Sequence, residues 1–378
     1  MNMINILKQE FNKIFKKDAL GVYFAPGRIN LIGEHTDYNG GYVFPYALSI
    51  GTYALVSKRD DFVVRMYSMN FENEGINSFE LSTDKPLADN WCKYPLAVIN
   101  TLKDHGYNVN TGFDVLYYGE IPNGAGLSSS ASIEVVTANM LRNIGGFGYT
   151  DKDMALMCQE AENVYAGVNC GIMDQFAIAL GKKEHAIFLD TKTLEYEYAP
   201  LKLAGLKIVI MNTNKKRKLG ESKYNERRCE CENALESLKK ILDVKCLCDV
   251  SVEEFEANKQ LIEDDNARKR AKHVIYENAR TKEAFVALCN NDFEKFGSLM
   301  NASHTSLKED YEVTGIELDT LVAKANKCKG VIGARMTGAG FGGCAFAIVK
   351  EAFVDEFIEK VGNEYKNTIG YEATYICL

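Results

Sequence analysis

The chain has 378 residues, too many for one typical hydrophobic core, so two domains are expected. Its 46% hydrophobic and 25% charged residues exclude a disordered or fibrous protein. A formal net charge of −8 argues against nucleic acid or an anionic membrane as the main partner, so an anionic substrate would need a local basic pocket.

Residues 1–18 mix Lys8, Glu10, Lys13, Lys16 and Lys17 with apolar residues at helical spacing, and lack the apolar run and small-residue cleavage site of a signal peptide. No segment reaches the roughly eighteen uninterrupted apolar residues of a membrane span. Eleven cysteines without an export signal read as reduced thiols, so a cytoplasmic location is expected. Residues 22–25, 42–48, 51–58, 62–69 and 112–118 are rich in β-branched and aromatic side chains and predict strands. Between the last two, residues 91–105 predict a helix. A Gly/Ser loop follows, then a helix over 130–144 stopped by Gly145-Gly146.

Thr150-Asp151-Lys152-Asp153 has the form of a capping box and opens a helix to about residue 165. A glycine-bearing loop at 167–171, a short helix at 173–180 and a hairpin at 184–198 come next. A strand at 207–211 begins the expected second domain, with helices near 221–242, 266–290, 292–301 and 313–328. A strand–loop–strand unit at 331–350, a helix at 351–364 and a strand at 372–378 close the chain. The expected division is 1–200 and 201–378, in an α/β (α+β) protein.

The C-x-C pairs Cys229/Cys231 and Cys246/Cys248 could suggest zinc, but the first lies in a helical pattern, where residues two apart point to nearly opposite sides. The five histidines are scattered, with no His-Glu-x-x-His, so a catalytic zinc site is not expected. The run Lys215-Lys216-Arg217-Lys218 reads as a surface loop with no role assigned.

Three segments carry chemistry. Residues 25–39, Ala25-Pro26-Gly27-Arg28-Ile29-Asn30-Leu31-Ile32-Gly33-Glu34-His35-Thr36-Asp37-Tyr38-Asn39, crowd short donors and acceptors around an apolar patch. That suits a ligand covered in hydroxyls, which both give and take hydrogen bonds, although a polar turn joining two strands would look similar. Residues 121–132, Ile121-Pro122-Asn123-Gly124-Ala125-Gly126-Leu127-Ser128-Ser129-Ser130-Ala131-Ser132, follow a strand and open a helix. Glycines let backbone N–H groups approach a phosphate, and a helix N-terminus adds partial positive charge. The segment lacks the lysine of a Walker A loop and the third glycine of a dinucleotide fingerprint. Residues 336–343, Met336-Thr337-Gly338-Ala339-Gly340-Phe341-Gly342-Gly343, allow backbone to pack closely against backbone or ligand.

Taken together, these motifs resemble the GHMP kinases, with their phosphate loop of the type Pro-x-Gly-x-Gly-Leu-Ser-Ser-Ser-Ala. Within them, the segment from Gly27 to Tyr38 is similar to the galactokinase signature Gly-Arg-x-Asn-Leu-Ile-Gly-Glu-His-x-Asp-Tyr. Further matches are Trp91-x-x-Tyr94, Ala161-Glu162, Cys170-Gly171-Ile172-Met173-Asp174-Gln175 and Tyr224-Asn225-Glu226-Arg227-Arg228-Cys229-Glu230. The resemblance covers about residues 20–350. It implies a two-domain GHMP-kinase fold with the active site in the cleft between domains. It also implies an ATP- and Mg²⁺-dependent phosphorylation of the C1 hydroxyl of galactose, the first committed step of galactose breakdown.

Residue by residue, the resemblance implies that Glu34, His35, Thr36, Asp37 and Tyr224 bind the sugar. Asp174 is the catalytic carboxylate, also in contact with the sugar, and Arg28 beside it stabilises charge on the transferring phosphoryl group. Gly124, Ala125, Gly126, Leu127, Ser128, Ser129 and Ser130 cradle the phosphates. Ser68 and Trp91 meet the nucleotide, and Ser130 with Glu162 ligates Mg²⁺. The expected partners are galactose and ATP, with no nucleic acid and no membrane, for a monomeric enzyme. Two alternatives stay open from sequence: a sister kinase acting on N-acetylgalactosamine or a uronic acid, and a non-catalytic sugar sensor that keeps the fold.

Overall fold

The computed structural model describes residues 2–81, 86–122, 125–215 and 220–378. The chain forms two compact units that interleave along the sequence. The first comprises Met1–Arg28, Leu48–Asn123 and Ser128–Gly181, and the second Ile29–Ala47, Gly124–Leu127 and Lys182–Leu378. The segment Ile29–Ala47, expected within an N-terminal domain, thus clusters with the C-terminal residues.

In chain order the elements begin α1 (Met3–Phe15), β1 (Gly21–Asn30), β2 (Tyr42–Val43), β3 (Pro45–Lys58), β4 (Val63–Ser68), β5 (Asn77–Glu80) and α2 (Lys93–Asp104). They continue β6 (Phe113–Gly119), α3 (Ser129–Gly145), α4 (Asp151–Val164), α5 (Met173–Leu180), β7 (His185–Asp190), β8 (Tyr196–Pro200) and β9 (Leu206–Asn212). The remainder are α6 (Gly220–Leu238), α7 (Val252–Asn258), α8 (Asp265–Cys289), α9 (Phe293–Glu309), α10 (Gly315–Ala325), β10 (Val331–Thr337), β11 (Cys344–Lys350), α11 (Val354–Ile369) and β12 (Thr374–Cys377).

In the first unit, β6 pairs antiparallel with β3 and parallel with β4, and β4 pairs antiparallel with β5. Side chains alternate across these strands, so one set faces each side. Ala54, Val56, Val64, Met66, Phe113, Val115 and Tyr117 join the core built with α2, α3 and α4. The intervening Leu55, Tyr67 and Leu116 meet Leu7, Phe11 and Phe15, a four-residue repeat along α1.

The second unit holds the antiparallel sheet β10-β11-β9-β12. Ala345, Ala347 and Val349 of β11 face a core shared with Val274 of α8, Leu321 of α10 and Phe357 and Val361 of α11. β7 pairs antiparallel with β2 and β8.

Two expected boundaries shift for identifiable reasons. Strands expected at 42–48 and 51–58 are β2 and one continuous β3 running through Gly51. There glycine does not end the strand: a Cβ at Gly51 would lie 2.0 Å from Ala25 O, so its absence admits a neighbouring backbone. Helix α9 continues past residue 301 because its polar residues have buried partners. Asn301 Oδ1 accepts from Ala334 N at 3.1 Å, and His304 Nδ1 from Met336 N at 3.3 Å. Strand β5 and helix α7 were not expected from sequence, although α7 opens on a capping box, Ser251 with Glu254.

Packing of α9 on β10 depends on Gly297, where a Cβ would stand 2.0 Å from Ile332 O. Gly297→Ala should therefore lower stability by about 1–3 kcal/mol, because the helix or strand must shift. A urea-unfolding midpoint equal to that of the unsubstituted protein would contradict this close approach.

Candidate active site

In the first unit, β1 delivers Arg28 to the first turn of α5. Arg28 Nε donates to Asp174 Oδ1 and Nη2 to Oδ2, both at 2.8 Å. Arg28 is 4% exposed and Asp174 27%, so a buried fork grips a carboxylate that solvent or a ligand still reaches. Ser128 Oγ adds a third donor, 2.5 Å from Oδ2. Ser128 has φ +63°, a left-handed conformation uncommon outside glycine, at the start of α3.

The N-cap residue Ser128 makes no side-chain capping bond to α3, whose N-terminus is the kind of end that suits an anion. Of the residues expected to cradle phosphates, Ala125 and Leu127 are buried, Gly126 has φ +79°, and Ser129 and Ser130 lie in the first turn of α3. Gly124 lies outside the described residues, as do Asn123 and Lys216 to Lys218. The hydroxyl of Ser128 is committed to Asp174.

An open pocket lies beside this helix start, lined by Ser68, Phe71, Trp91, Tyr94, Tyr117, Ser129, Ser130 and Ile133. Both residues expected to meet the nucleotide, Ser68 and Trp91, therefore share a pocket with the expected phosphate-binding serines. The indole of Trp91 lies parallel to Phe71 at 6.4 Å and edge-on to Tyr117 at 5.7 Å. Its buried Nε1 has no hydrogen-bond partner among the described residues.

Below the loop, carboxylates crowd together. Glu162 is pushed up to about 7 by burial and then by the charge of Asp174, against hydrogen bonds from Ser130, Cys170 and Gln175. Glu134 is driven well above the carboxylate range by burial and by Glu162. Gln175 Nε2 bridges the two, 2.6 Å from Glu162 Oε2 and 3.2 Å from Glu134 Oε2, while Glu134 Oε1 has no partner among the described residues.

Such a site favours a cation, and the hard oxygens of Ser130 and Glu162 suit Mg²⁺ completed by phosphate oxygens and water. Among the described residues, no three His, Cys, Asp or Glu side chains are grouped to hold a metal.

In the second unit, the turn after β1 carries Glu34, His35, Thr36 and Asp37. Glu34 is 1% exposed; its carboxylate pairs with the buried Arg335 and accepts from Gly338 N at 3.0 Å. Burial, partly offset by Arg335, raises it to about 7. His35 Nδ1 lies 2.8 Å from Tyr38 Oη, which in turn lies 2.8 Å from Tyr311 Oη. Burial and the nearby His273 push His35 down to about 3, so the ring is neutral.

Thr36 Oγ1 lies 2.8 Å from Gly33 O and 2.7 Å from Tyr42 O, so its single proton closes the turn. Asp37 is half-buried and begins a 3₁₀ turn. Tyr224, half-buried on α6, brings its ring within 5.8 Å of His35 and 5.5 Å of Tyr38. This joins the expected sugar residues from distant parts of the sequence. Glu34 and Thr36 have their polar groups largely engaged inside the protein.

Several members of the site were not picked out from sequence. Glu134 lies four residues after Ser130 on α3, a spacing that places both on one helix face. His273 and Glu277 share that spacing on α8, and Arg335 stands in a strand. A charged residue at a core-facing position is the signal they left. Cys229 is exposed and Cys231 buried, as expected for residues two apart on a helix.

Three family models match the chain: the galactokinase galactose-binding signature over residues 9–58, the GHMP kinase N-terminal domain over 93–182 and the GHMP kinase C-terminal domain over 284–367. The chain is 56% identical over 376 residues to a galactokinase of Clostridium acetobutylicum, covering 99% of this chain and 97% of that one. It is 53% identical to a galactokinase of Fusobacterium nucleatum, with the same coverage. The crystal structure of Lactococcus lactis galactokinase complexed with galactose superposes with a TM-score of 0.97 at 48% identity, covering 100% of this chain and 97% of that one. A mevalonate kinase at 20% identity, TM-score 0.66, covering 94% of this chain and 98% of that one, shares the fold.

The burial of the second-unit histidines is open to a direct check. His35, held down to about 3, and His273, held down to about 4 by burial, should both stay neutral from pH 8 to about 5. Because burial disfavours the charged ring, protonation is delayed to more acid solution. In ¹⁵N NMR spectra their imidazole signals should not move over that range; titration of either near pH 6.5 would contradict the buried, neutral assignment.

Proposed function

The chain belongs to the galactokinase family of the GHMP kinases, and we propose that it transfers the γ-phosphoryl group of ATP to the C1 hydroxyl of galactose, giving galactose 1-phosphate and ADP. The observation that carries this reading is the Asp174 carboxylate, oriented by Arg28 and Ser128 beside the N-terminus of α3. A carboxylate offers about four acceptor positions, and these three donors leave one on Oδ1. That oxygen accepts the proton of the sugar hydroxyl as the C1 oxygen attacks the γ-phosphorus and ADP leaves.

Arg28 places fixed positive charge where negative charge spreads over the transferring oxygens. The N–H groups of α3 hold the phosphates, and the pocket with Ser68 and Trp91 takes the adenine. Ser130 and Glu162 would hold Mg²⁺, which would supply positive charge to offset that of the phosphates. Positioning and electrostatics supply most of the acceleration, with the base adding about 10²–10⁴-fold.

Galactose is held by Asp37 and Tyr224, with Glu34, His35 and Thr36 shaping and lining the same turn. The galactose complex of the Lactococcus relative supports this substrate. ATP as phosphoryl donor follows from membership of a kinase family. No helix among the described residues is long and apolar enough to cross a membrane. A cytosolic monomer is the state we propose, and the eleven free cysteines bear on the compartment, where reduced thiols are the rule.

Asp174→Ala should lower kcat at least about 100-fold, the least a general base normally contributes, while galactose still binds. Single-turnover phosphoryl transfer and calorimetric galactose binding separate the two effects. Retention of a tenth of the original kcat would remove Asp174 from the chemistry.

Selectivity provides the test of the sugar assignment. If Asp37 accepts from the axial O4 hydroxyl, an equatorial O4 leaves that acceptor unpaired, at about 1–3 kcal/mol or more for a charged group. In an ADP-release assay against galactose, N-acetylgalactosamine, glucose, galacturonate and arabinose, galactose should be favoured by orders of magnitude over glucose. Asp37→Ala should reduce galactose turnover strongly and narrow that gap. Comparable rates on glucose, or full galactose activity in the variant, would overturn the assignment.

A further inference from the structure

We infer that His273 and Glu277, one turn apart on α8, are positioning residues that set the shape of the turn Gly33–Thr36; the inference rests on the reading above that this turn serves galactose binding. Both side chains are fully buried. Glu277 Oε1 accepts from the backbone N–H of Gly33 at 3.0 Å and from the hydroxyl of Ser303, while Oε2 accepts from Arg280 Nε at 2.8 Å. His273 Nε2 lies 3.1 Å from the carbonyl oxygen of Glu34. That oxygen can only accept, so Nε2 carries the ring proton and donates it. The other ring nitrogen lies 2.9 Å from Ser306 Oγ.

One face of a 25-residue helix therefore grips the turn at two points, the N–H entering Gly33 and the carbonyl leaving Glu34. The backbone between and just after these points is the part that most needs holding. Gly33 has φ +96° and His35 φ +64°. The left-handed region is unfavourable for a residue with a Cβ, and it persists where the surroundings over-determine it. A rigid helix supplies that constraint better than a loop would.

Side-chain charge ties the same pair to the rest of the turn. Arg335, fully buried, pairs with Glu34 and stands 3.8 Å from Glu277 Oε1, so one guanidinium serves both carboxylates. Arg280 and Arg335 overcome the burial of Glu277 and hold it down at about 2, so it keeps the charge that fixes both partners. Neither His273 nor Glu277 needs to touch the sugar. Their effect reaches it through the conformation of residues 33–36, and so should appear in galactose affinity rather than in phosphoryl transfer.

The experiment uses the full chain with Glu277→Gln, His273→Phe and His273→Gln. Glu277→Gln and His273→Phe should raise the KM for galactose at least tenfold and reduce the galactose-induced rise in Tm at a fixed galactose concentration. The KM for ATP should stay within about twofold and kcat within about threefold. His273→Gln, which restores a donor toward Glu34 O, should recover part of the lost galactose affinity. Should Glu277→Gln fail to fold, Ser303→Ala removes one of its partners and should still raise the galactose KM about threefold.

A folded variant with unchanged galactose KM overturns the positioning role, and so do equal rises in both KM values, which would mark a general structural defect. If the unsubstituted protein neither phosphorylates galactose nor gains Tm from it, the functional reading falls and this inference with it.

Discussion

Arg28 stands near the end of β1 and Asp174 in the first turn of α5, 146 residues later, and two parallel hydrogen bonds of 2.8 Å join them. A planar guanidinium meeting a carboxylate edge to edge fixes position and rotation together, which a lysine's single ammonium would not do. Charge-assisted bonds of this kind contribute about 1.5–3 kcal/mol each. The carboxylate is held still while one of its oxygens keeps acceptor capacity. Everything assigned to the first unit, from the serines of α3 to the indole pocket, is useful only if that carboxylate stays in place.

The same unit accepts a second cost for function. Glu134 and Glu162 share the donor of one buried amide, and the ionisation of Glu162 is opposed both by burial and by Asp174. A core optimised for stability alone would not group carboxylates in this way, because burying a charge without a partner is unfavourable. On the reading proposed above, a cation bound with the nucleotide would offset that cost.

The second unit solves a different problem, that of keeping a polar turn rigid. Glu34 and His35 are almost wholly buried, and their charges are managed oppositely. Glu34 has an arginine partner, whereas His35 is kept neutral by desolvation. Buried polar groups with satisfied partners rigidify their surroundings, and partly satisfied ones are costly. The turn is thus held by hydrogen bonds from outside its own sequence.

Local chemistry was legible in the sequence wherever a short run of residues determined it. The capping box at Thr150, the glycine stop after α3 and the helix at 173–180 follow from neighbouring residues alone. So does the motif from Gly27 to Tyr38, whose composition announces a hydroxyl-rich ligand and whose pattern identifies the family. Gly51 shows the limit: a glycine reads as a break, and only the nearby Ala25 carbonyl reveals that it admits a backbone. Asn301 and His304 likewise read as a helix end until the strand β10 offers them its N–H groups. Tertiary structure alone decided that Glu34 is paired by Arg335, that Ser128 turns its hydroxyl to Asp174, and that His273 and Glu277 grip the turn. Each of these contacts depends on distance and desolvation between residues far apart in sequence, quantities that no local pattern encodes.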